Sequence, residues 1–200
     1  MKLIAITSRE INGLHNNEIM DALDKRFAVL MSRLSMMTVI LPNEPALCHA
    51  LLDRISPDGI ILSGGGDISA CSGMITRRDQ MEERVLVWAS HHQCPVLGVC
   101  RGFQVMLVAA GLDLHKMNGH AGTRHDVSGI LTGLVNSYHD YVCLTENTRI
   151  TVMARGPDGV IEAATFQGEK RMGIMWHPER ESEFDERDMQ MISDFFSGEQ

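Results

Sequence analysis

Residues 95–104 of the chain read Pro95-Val96-Leu97-Gly98-Val99-Cys100-Arg101-Gly102-Phe103-Gln104. The apolar first half predicts a strand over Pro95–Val99 that is buried on both faces. The residues after Cys100 have a helical pattern, so the backbone must turn abruptly at the cysteine. Gly98 and Gly102 remove side chains that would collide in so tight a turn. We therefore predict a turn that presents the Cys100 sulfur at the carboxyl end of a sheet and at a helix N-terminus, which favours the thiolate.

Apolar runs alternate with helical patterns on both sides of this turn. Strands are predicted at Lys2–Thr7, Thr38–Leu41, Gly59–Leu62 and Pro95–Val99. Helices are predicted at Glu18–Leu34, Pro45–Ile55, Asp79–His91 and Arg101–Ala110. Such alternation indicates right-handed crossovers and a mainly parallel sheet.

After Gly111 the pattern changes to short strands joined by turns. These strands are predicted around Val127 and at Val142–Leu144, Ile150–Ala154, Val160–Phe166 and Met172–Trp176, with a turn at Gly156–Gly159 and a last helix at Glu183–Phe196. The predicted fold class is α/β, with a mostly parallel sheet flanked by helices and a small antiparallel extension in the C-terminal half. Residues 1–200 are predicted to form one domain.

Composition excludes several classes of function. The 18 basic and 26 acidic residues give a net charge of −8, which argues against nonspecific binding to nucleic acid or anionic lipid. No run approaches the roughly 20 apolar residues of a membrane span, and the N-terminus shows no secretory signal. The five cysteines have no paired spacing typical of disulfide or metal frameworks, which favours a reduced cytoplasmic protein with one reactive thiol.

A reactive thiolate needs an acid/base partner, and that partner needs an orienting group. His177-Pro178-Glu179 supplies both directly after the apolar strand that ends at Trp176. Pro178 fixes the backbone, so the Glu179 carboxylate can return toward the imidazole.

Acyl chemistry also needs hydrogen-bond donors for a developing oxyanion. The backbone N–H of Arg101 follows from the turn at Cys100, and a second donor is expected from the glycine loop Ser63–Asp67. The same loop is also typical of a phosphate cradle. Because neither Gly-Lys-Ser/Thr nor G-x-G-x-x-G spacing is present, a nucleotide P-loop is not predicted.

Together these residues resemble the class I glutamine amidotransferase superfamily, and within it the stand-alone γ-glutamyl hydrolase branch, peptidase family C26. The resemblance spans roughly residues 58 to 181. It rests on residues 62–67, Arg78-Asp79 with Glu82, residues 97–104, Ser137-Tyr138-His139, residues 158–163 and residues 173–179.

The resemblance implies a flavodoxin-like core and assigns roles to individual residues. Cys100, His177 and Glu179 would form the catalytic triad, and the backbone N–H groups of Gly65 and Arg101 the oxyanion hole. Four further residues would hold the α-amino and α-carboxylate groups of a γ-glutamyl substrate: Gln104, Ser137, Tyr138 and His139. His139 is alternatively a histidine at the surface or the edge of the core. The implied chemistry runs through a γ-glutamyl thioester and needs neither a metal nor an organic cofactor.

The leaving group is less determined. The compact length, the short connection Ile68–Arg77 and the ending Trp176–Glu181 look similar to the hydrolases that act on γ-glutamyl-CDP-amidate in capsule phosphoramidate biosynthesis, more than to γ-glutamyl-GABA hydrolases. A basic cluster in one loop region would receive a diphosphate: Lys116, His120, Arg124 and His125. The same residues are also typical of a solvated loop. Arg77 and Arg78 would serve likewise, unless Arg78 only pairs with Glu82 one helical turn away.

Three hypotheses therefore remain open. The first is a free-standing hydrolase with a small-molecule γ-glutamyl substrate, as a monomer or homodimer. The second is an amidotransferase subunit that feeds ammonia to a separate synthase. The third is a binding or chaperone-like protein with an inert thiol.

Overall fold

The structure is a computed structural model that describes residues 1–13 and 17–198. A nine-stranded sheet forms its centre, in the spatial order β4-β1-β5-β6-β13-β12-β11-β8-β9. Its strands are β1 (Leu3–Thr7), β4 (Met37–Leu41), β5 (Gly59–Leu62), β6 (Val96–Val99), β8 (Thr123–Gly129), β9 (Gly133–Ser137), β11 (Ile150–Arg155), β12 (Ile161–Phe166) and β13 (Arg171–Ile174). Two antiparallel strand pairs lie outside it: β2 (Arg9–Asn12) with β3 (Ile19–Ala22), and β7 (His115–Lys116) with β10 (Tyr141–Val142).

Five adjacent strands of the sheet, β4, β1, β5, β6 and β13, are parallel. Counted among themselves in chain order, they lie in the order 2-1-3-4-5, which is that of flavodoxin-like folds. The other four strands, β12, β11, β8 and β9, are antiparallel and extend the sheet beyond β13. The predicted fold class is therefore confirmed, including the antiparallel extension in the C-terminal half.

Helices cover both faces of the sheet, because the parallel strands are apolar on both sides. They are α1 (Arg26–Arg33), α2 (Pro45–Ile55), α3 (Ser69–Ser72), α4 (Arg77–His92), α5 (Arg101–Ala109) and α6 (Glu186–Ser197). One core cluster includes Trp88 of α4 and Phe103 of α5, and a second includes Phe27 of α1 and Phe196 of α6. Within the described residues, the helices are all too short or too polar to cross a lipid bilayer.

The predicted helix Glu18–Leu34 is wrong in its first half. Ile19–Ala22 forms strand β3, which pairs antiparallel with β2, and helix α1 begins only at Arg26. Asp24 marks the start, since its carboxylate accepts a hydrogen bond from the Arg26 backbone N–H at 3.0 Å. The helical spacing that led to the longer prediction is real from Phe27 onward, but Ile19 is 73% exposed and takes no part in the core.

The other helices and strands lie close to their predicted positions. Helix α4 begins two residues earlier than expected because Thr76 and Asp79 form a reciprocal capping box. The predicted strand Val142–Leu144 is reduced to Tyr141–Val142. Strand β9, Gly133–Ser137, was not predicted from the sequence, because its short alternation is interrupted by polar residues. It is the strand that leads into Ser137-Tyr138-His139.

Candidate active site

Three neighbouring parallel strands deliver the predicted functional segments to one edge of the sheet. The glycine loop at Ser63 follows β5, Cys100 follows β6, and His177 lies three residues beyond the end of β13. Because the carboxyl ends of parallel strands meet at the same edge, segments that are 37 and 77 residues apart in sequence become neighbours.

Cys100 occupies a strained turn between β6 and α5. Its φ of 52° and ψ of −103° lie in a region that side-chain-bearing residues rarely adopt. The turn is possible because glycine has no Cβ at either position. A Cβ on Gly98 would lie 2.7 Å from the Phe103 backbone nitrogen, and a Cβ on Gly102 would lie 2.1 Å from the Leu62 carbonyl oxygen. The predicted requirement for glycine on both sides of the cysteine is thus explained by backbone contacts.

The His177 imidazole lies between a thiol and a carboxylate. Its Nδ1 is 2.6 Å from Glu179 Oε1, and Cys100 is the other side chain whose interaction with the ring raises its pKa. His177 and Glu179 are each only 1% exposed. Burial lowers the pKa of His177, but the contacts with Cys100 and Glu179 outweigh it and raise the pKa to about 9. The pair therefore favours an imidazolium next to the sulfur at neutral pH.

Asn136, which the sequence analysis did not single out, fixes the backbone at His177. Its Oδ1 accepts from the His177 backbone N–H at 2.9 Å, and its Nδ2 donates to the His177 carbonyl at 2.9 Å and to Glu181 Oε1 at 2.7 Å. Its position directly before Ser137-Tyr138-His139 is the one sequence signal that could have identified it. These bonds join the antiparallel extension to the end of β13.

The Arg78 side chain orients the glycine loop through hydrogen bonds to its carbonyl oxygens. The guanidinium donates to the carbonyl oxygens of Ser63 at 2.6 Å and Gly65 at 2.8 Å, and more weakly to that of Gly64 at 3.4 Å. The Gly64 C=O and the Gly65 N–H belong to one trans peptide and point in opposite directions. The contact of Arg78 with the Gly64 carbonyl therefore turns the N–H of Gly65 away from Arg78. A Cβ on Gly64 would lie 2.5 Å from His177 Cε1, so the loop packs directly against the imidazole.

Arg78 belongs to a buried ionic network beneath the loop and the cysteine turn. Glu82, which is fully buried, accepts from Arg78 Nε at 2.8 Å, from Thr7 Oγ1 at 3.0 Å and from Arg101 Nη1. Arg101 Nη2 also donates to Asp79 at 2.7 Å. Of the two roles considered for Arg78, diphosphate binding and pairing with Glu82, the geometry shows the pairing with Glu82. The role of the Arg101 side chain had no sequence signal.

The four residues expected to bind the glutamyl group are placed differently from one another. Ser137 is buried, and its hydroxyl has no hydrogen-bond partner within residues 1–13 and 17–198, as is typical of a group awaiting a ligand. Tyr138 is 46% exposed, with its ring edge-on to His177 at 5.6 Å between centroids. Gln104 donates to the Tyr141 carbonyl at 3.1 Å. His139 is turned inward, with its Nε2 3.6 Å from Glu162.

The four residues of the expected diphosphate site do not form one surface. Lys116 is exposed on β7, and Arg124 makes an ion pair with Glu181 at 3.0 Å. His120 and His125 both face inward to Glu162, at 3.8 and 3.2 Å. Arg77 forms an ion pair with Glu44 at the surface.

Two other arginines border the site. Arg9 of β2 and Arg180 of the 3-10 turn Pro178–Arg180 line a small cavity together with Gly64, His177 and Glu179. Arg180 also lies over the Tyr138 ring, 4.6 Å from its centroid. The sequence analysis assigned no role to these arginines.

At the remaining four cysteines, burial is the leading influence on the thiol pKa. Burial raises the pKa of Cys48 to about 12 and that of Cys94 to about 11. Burial, with the nearby Asp67 charge, raises the pKa of Cys71 to about 11, and burial raises that of Cys143. Within residues 1–13 and 17–198, the interaction of His177 with Cys100 is the one cysteine–histidine coupling that shifts a pKa.

Comparisons with known proteins identify the family of the chain. Residues 18–198 match the family described as Glutamine amidotransferase class-I. The chain is 30% identical over 141 residues to gamma-glutamyl-CDP-amidate hydrolase of Campylobacter jejuni, with 69% of each chain covered. It is 27% identical over 180 residues to the gamma-glutamyl-gamma-aminobutyrate hydrolase PuuD of Escherichia coli, with 68% of each covered.

A solved structure shares the fold. It is that of a Thermoplasma acidophilum protein named as a GMP synthase subunit, with a TM-score of 0.74 and 18% identity. The superposition covers 98% of this chain and 94% of the other. At this identity, the likeness supports the fold alone.

Proposed function

The chain belongs to the class I glutamine amidotransferase family and is a hydrolase that acts on amides, and we propose that it cleaves γ-glutamyl amide bonds through a Cys100 thioester. The observation that carries this proposal is the buried line of Cys100 thiol, His177 imidazole and Glu179 carboxylate at the carboxyl edge of the sheet. The same line makes the third hypothesis, an inert thiol, the least compatible with the site.

In the first step, the Cys100 thiolate attacks the γ-carbonyl carbon of the substrate. The negative charge that develops on the carbonyl oxygen is received by the N–H groups of Gly65 and Arg101, since the first N–H groups of a helix are free to donate and Arg78 orients the glycine loop. The His177 imidazolium gives its proton to the leaving nitrogen, the C–N bond breaks, and a γ-glutamyl thioester remains.

In the second step, neutral His177 removes a proton from water, which attacks the thioester carbon. The C–S bond breaks, the sulfur leaves as thiolate beside the newly formed imidazolium, and glutamate is released. The Glu179 carboxylate accepts from the Nδ1 of the ring and keeps the ring in the orientation that faces the sulfur.

The leaving group that we propose is cytidine diphosphoramidate. Its support is the similarity to gamma-glutamyl-CDP-amidate hydrolase of Campylobacter jejuni and the placement of Arg9 and Arg180 beside His177, where guanidinium groups would face a diphosphate. A γ-aminobutyrate leaving group carries one carboxylate and would use fewer of these charges.

Glutamate release from a panel of γ-glutamyl amides tests both levels of the proposal. We expect the γ-glutamyl-CDP adduct to have a higher kcat/KM than γ-glutamyl-GABA or glutamine. Cys100→Ala should reduce turnover by about 10⁴-fold or more, because the acyl acceptor is lost, while substrate still binds. Cys71→Ala, at a half-buried thiol without an imidazole, is the matched control. Turnover preserved in Cys100→Ala would remove the covalent mechanism.

The arginines give a separate test of the leaving group. Arg9→Gln should raise KM for the CDP adduct more than for glutamine, whereas Arg33→Gln, on the exposed side of α1, should change neither. Arg124→Gln is an informative third variant, because Arg124 reaches the His177 backbone only through Glu181 and Asn136. Equal effects of Arg9→Gln on both substrates would eliminate the role in diphosphate binding.

An amidotransferase subunit is the second candidate, favoured by the family description itself. It would release ammonia from glutamine only when bound to a synthase. Glutaminase activity that is weak alone and rises strongly with a candidate synthase would replace the hydrolase proposal.

A further inference from the structure

Behind the strand that carries Ser137, three histidines converge on one buried carboxylate. His125 Nε2, His139 Nε2 and His120 Nδ1 lie 3.2, 3.6 and 3.8 Å from Glu162 Oε1. Glu162 is 1% exposed, His139 3% and His120 5%. The residues come from four separate segments of the antiparallel half, so their convergence is a product of the fold.

None of these facing atoms forms a hydrogen bond with any part of the chain that the structure describes. The orphaned atoms are His120 Nδ1, His125 Nε2, His139 Nε2, Glu162 Oε1 and Glu162 Oε2. Buried polar atoms are nearly always satisfied, and a buried carboxylate in addition needs a positive charge close by. Five unsatisfied atoms around one point indicate that a cationic group completes the cluster.

The outward-facing nitrogens of two histidines are already held. His120 Nε2 is 2.8 Å from Asp158 Oδ2, and His139 Nδ1 is 3.2 Å from the Tyr141 carbonyl oxygen. Histidines that bind metals usually donate their other ring N–H to a carboxylate or a backbone carbonyl, which fixes the tautomer with the free lone pair toward the metal. Both histidines are oriented in this way.

The separations also fit a small tetrahedral site. Zinc–nitrogen bonds of about 2.0–2.1 Å at tetrahedral angles place ligand atoms about 3.3 Å apart, and the ligand atoms of His120, His125 and Glu162 all lie within 4.8 Å of one another. Imidazole and carboxylate donors suit Zn²⁺, and four protein ligands would close the coordination shell. We propose that His120, His125 and Glu162 bind one Zn²⁺ ion, with His139 beside them as the fourth ligand. The ion has a structural role and takes no part in the thioester chemistry.

Such an ion would tie β8 and β12 to the segment just after β9. This segment carries Ser137 and Tyr138, and the Glu162 carbonyl accepts from the Met175 backbone N–H at 2.8 Å, two residues before His177. The metal would therefore hold the antiparallel extension against the catalytic edge of the sheet.

Titration of the chelator-treated, full-length protein with Zn²⁺ alone tests this proposal. We expect one ion per chain, an increase in Tm on binding, and an X-ray absorption spectrum with only nitrogen and oxygen ligands at about 2.0–2.1 Å. Sulfur neighbours at about 2.3 Å would assign the ion to cysteine and overturn the proposal.

Two substitutions and one control locate the site. Glu162→Gln should abolish stoichiometric binding, and Asp158→Asn, at a partly exposed residue that does not touch the metal, should weaken it about 10- to 100-fold. His49→Gln, at an exposed histidine paired with Asp53, should leave Zn²⁺ affinity unchanged. Absence of stoichiometric binding would instead assign the counter-charge to protonated imidazoles, and an unchanged affinity in Glu162→Gln would place the ion elsewhere.

Discussion

At the scale of single residues, the decisive feature is the protonation of the His177 imidazole between Cys100 and Glu179. His177 is almost fully buried, which by itself disfavours its charged form. Cys100 on one side and Glu179 on the other reverse that effect and raise the pKa of His177 to about 9, so the imidazolium form is the resting form at neutral pH. At the other four cysteines, burial raises the pKa of the thiol, which disfavours the thiolate.

The raised pKa of His177 predicts the alkaline limb of the pH profile. In the proposed mechanism the imidazolium protonates the leaving nitrogen, so kcat/KM should fall as pH rises through about 9. Glu179→Gln removes one of the two contacts that raise this pKa, so its alkaline limb should move to lower pH. The measurement is kcat/KM against pH for both proteins.

Glu183→Gln, an exposed carboxylate on the same side of the molecule, serves as the control and should keep the original limb. The sign for stability is the same: the contribution of His177 is fully present below pH 6.5 and is lost as pH rises through about 9. An alkaline limb that is identical in Glu179→Gln and the parent protein would contradict the assignment.

At the scale of structural elements, the decisive feature is the turn from β6 into α5. Its glycines allow backbone contacts at Phe103 and Leu62 that no side chain would permit, and the backbone at Cys100 is held at φ 52° and ψ −103°. The strain is maintained by the buried strand before the turn and by the helix after it. It directs the sulfur out of the sheet, toward His177.

This strain makes an unusual prediction about stability. Cys100→Gly should be about 1 kcal/mol more stable than Cys100→Ala, because glycine adopts this conformation freely, and the relief of about 1–3 kcal/mol exceeds the entropy that glycine gains in the unfolded chain. Denaturant unfolding of the two variants measures the difference, and both lack the sulfur. Ala50→Gly, on the exposed face of α2, should show the ordinary opposite sign, a loss of about 1 kcal/mol.

At the scale of the whole molecule, the active site depends on a buried network that joins four parts of the chain. Glu82 of α4 bonds to Thr7 at the end of β1, to Arg78, which clamps the glycine loop, and to Arg101 at the start of α5. The network therefore couples the packing of α4 to the placement of both expected oxyanion donors.

Breaking this network should destabilise the entire fold. Glu82→Gln leaves two buried arginines without their shared anion, so the free energy of unfolding should fall by about 3 kcal/mol. Glu83→Gln, the exposed neighbour on the same helix, should change it by less than about 0.5 kcal/mol. Equal stabilities of the two variants in urea unfolding would show that Glu82 is dispensable.

The sequence determined those features that reside in local pattern. The alternation of apolar strands and helices gave the fold class, the two glycines around Cys100 gave the turn, and His177-Pro178-Glu179 gave an acid/base partner with its carboxylate, since each depends on neighbours within a few residues. A few local patterns were ambiguous, as at Ile19, where helical spacing continued into a strand of an exposed hairpin.

Only the tertiary structure decided which distant residues meet. Strand order brings Asn136 to the backbone of His177 and Arg101 to Glu82. It also turns His120 and His125, which the sequence had indicated for a diphosphate, inward to Glu162. His139, which the resemblance had assigned to the glutamyl group, faces the same carboxylate. Burial of a polar side chain costs free energy unless partners from other strands form hydrogen bonds with it. The spacing of residues in the sequence does not identify those partners.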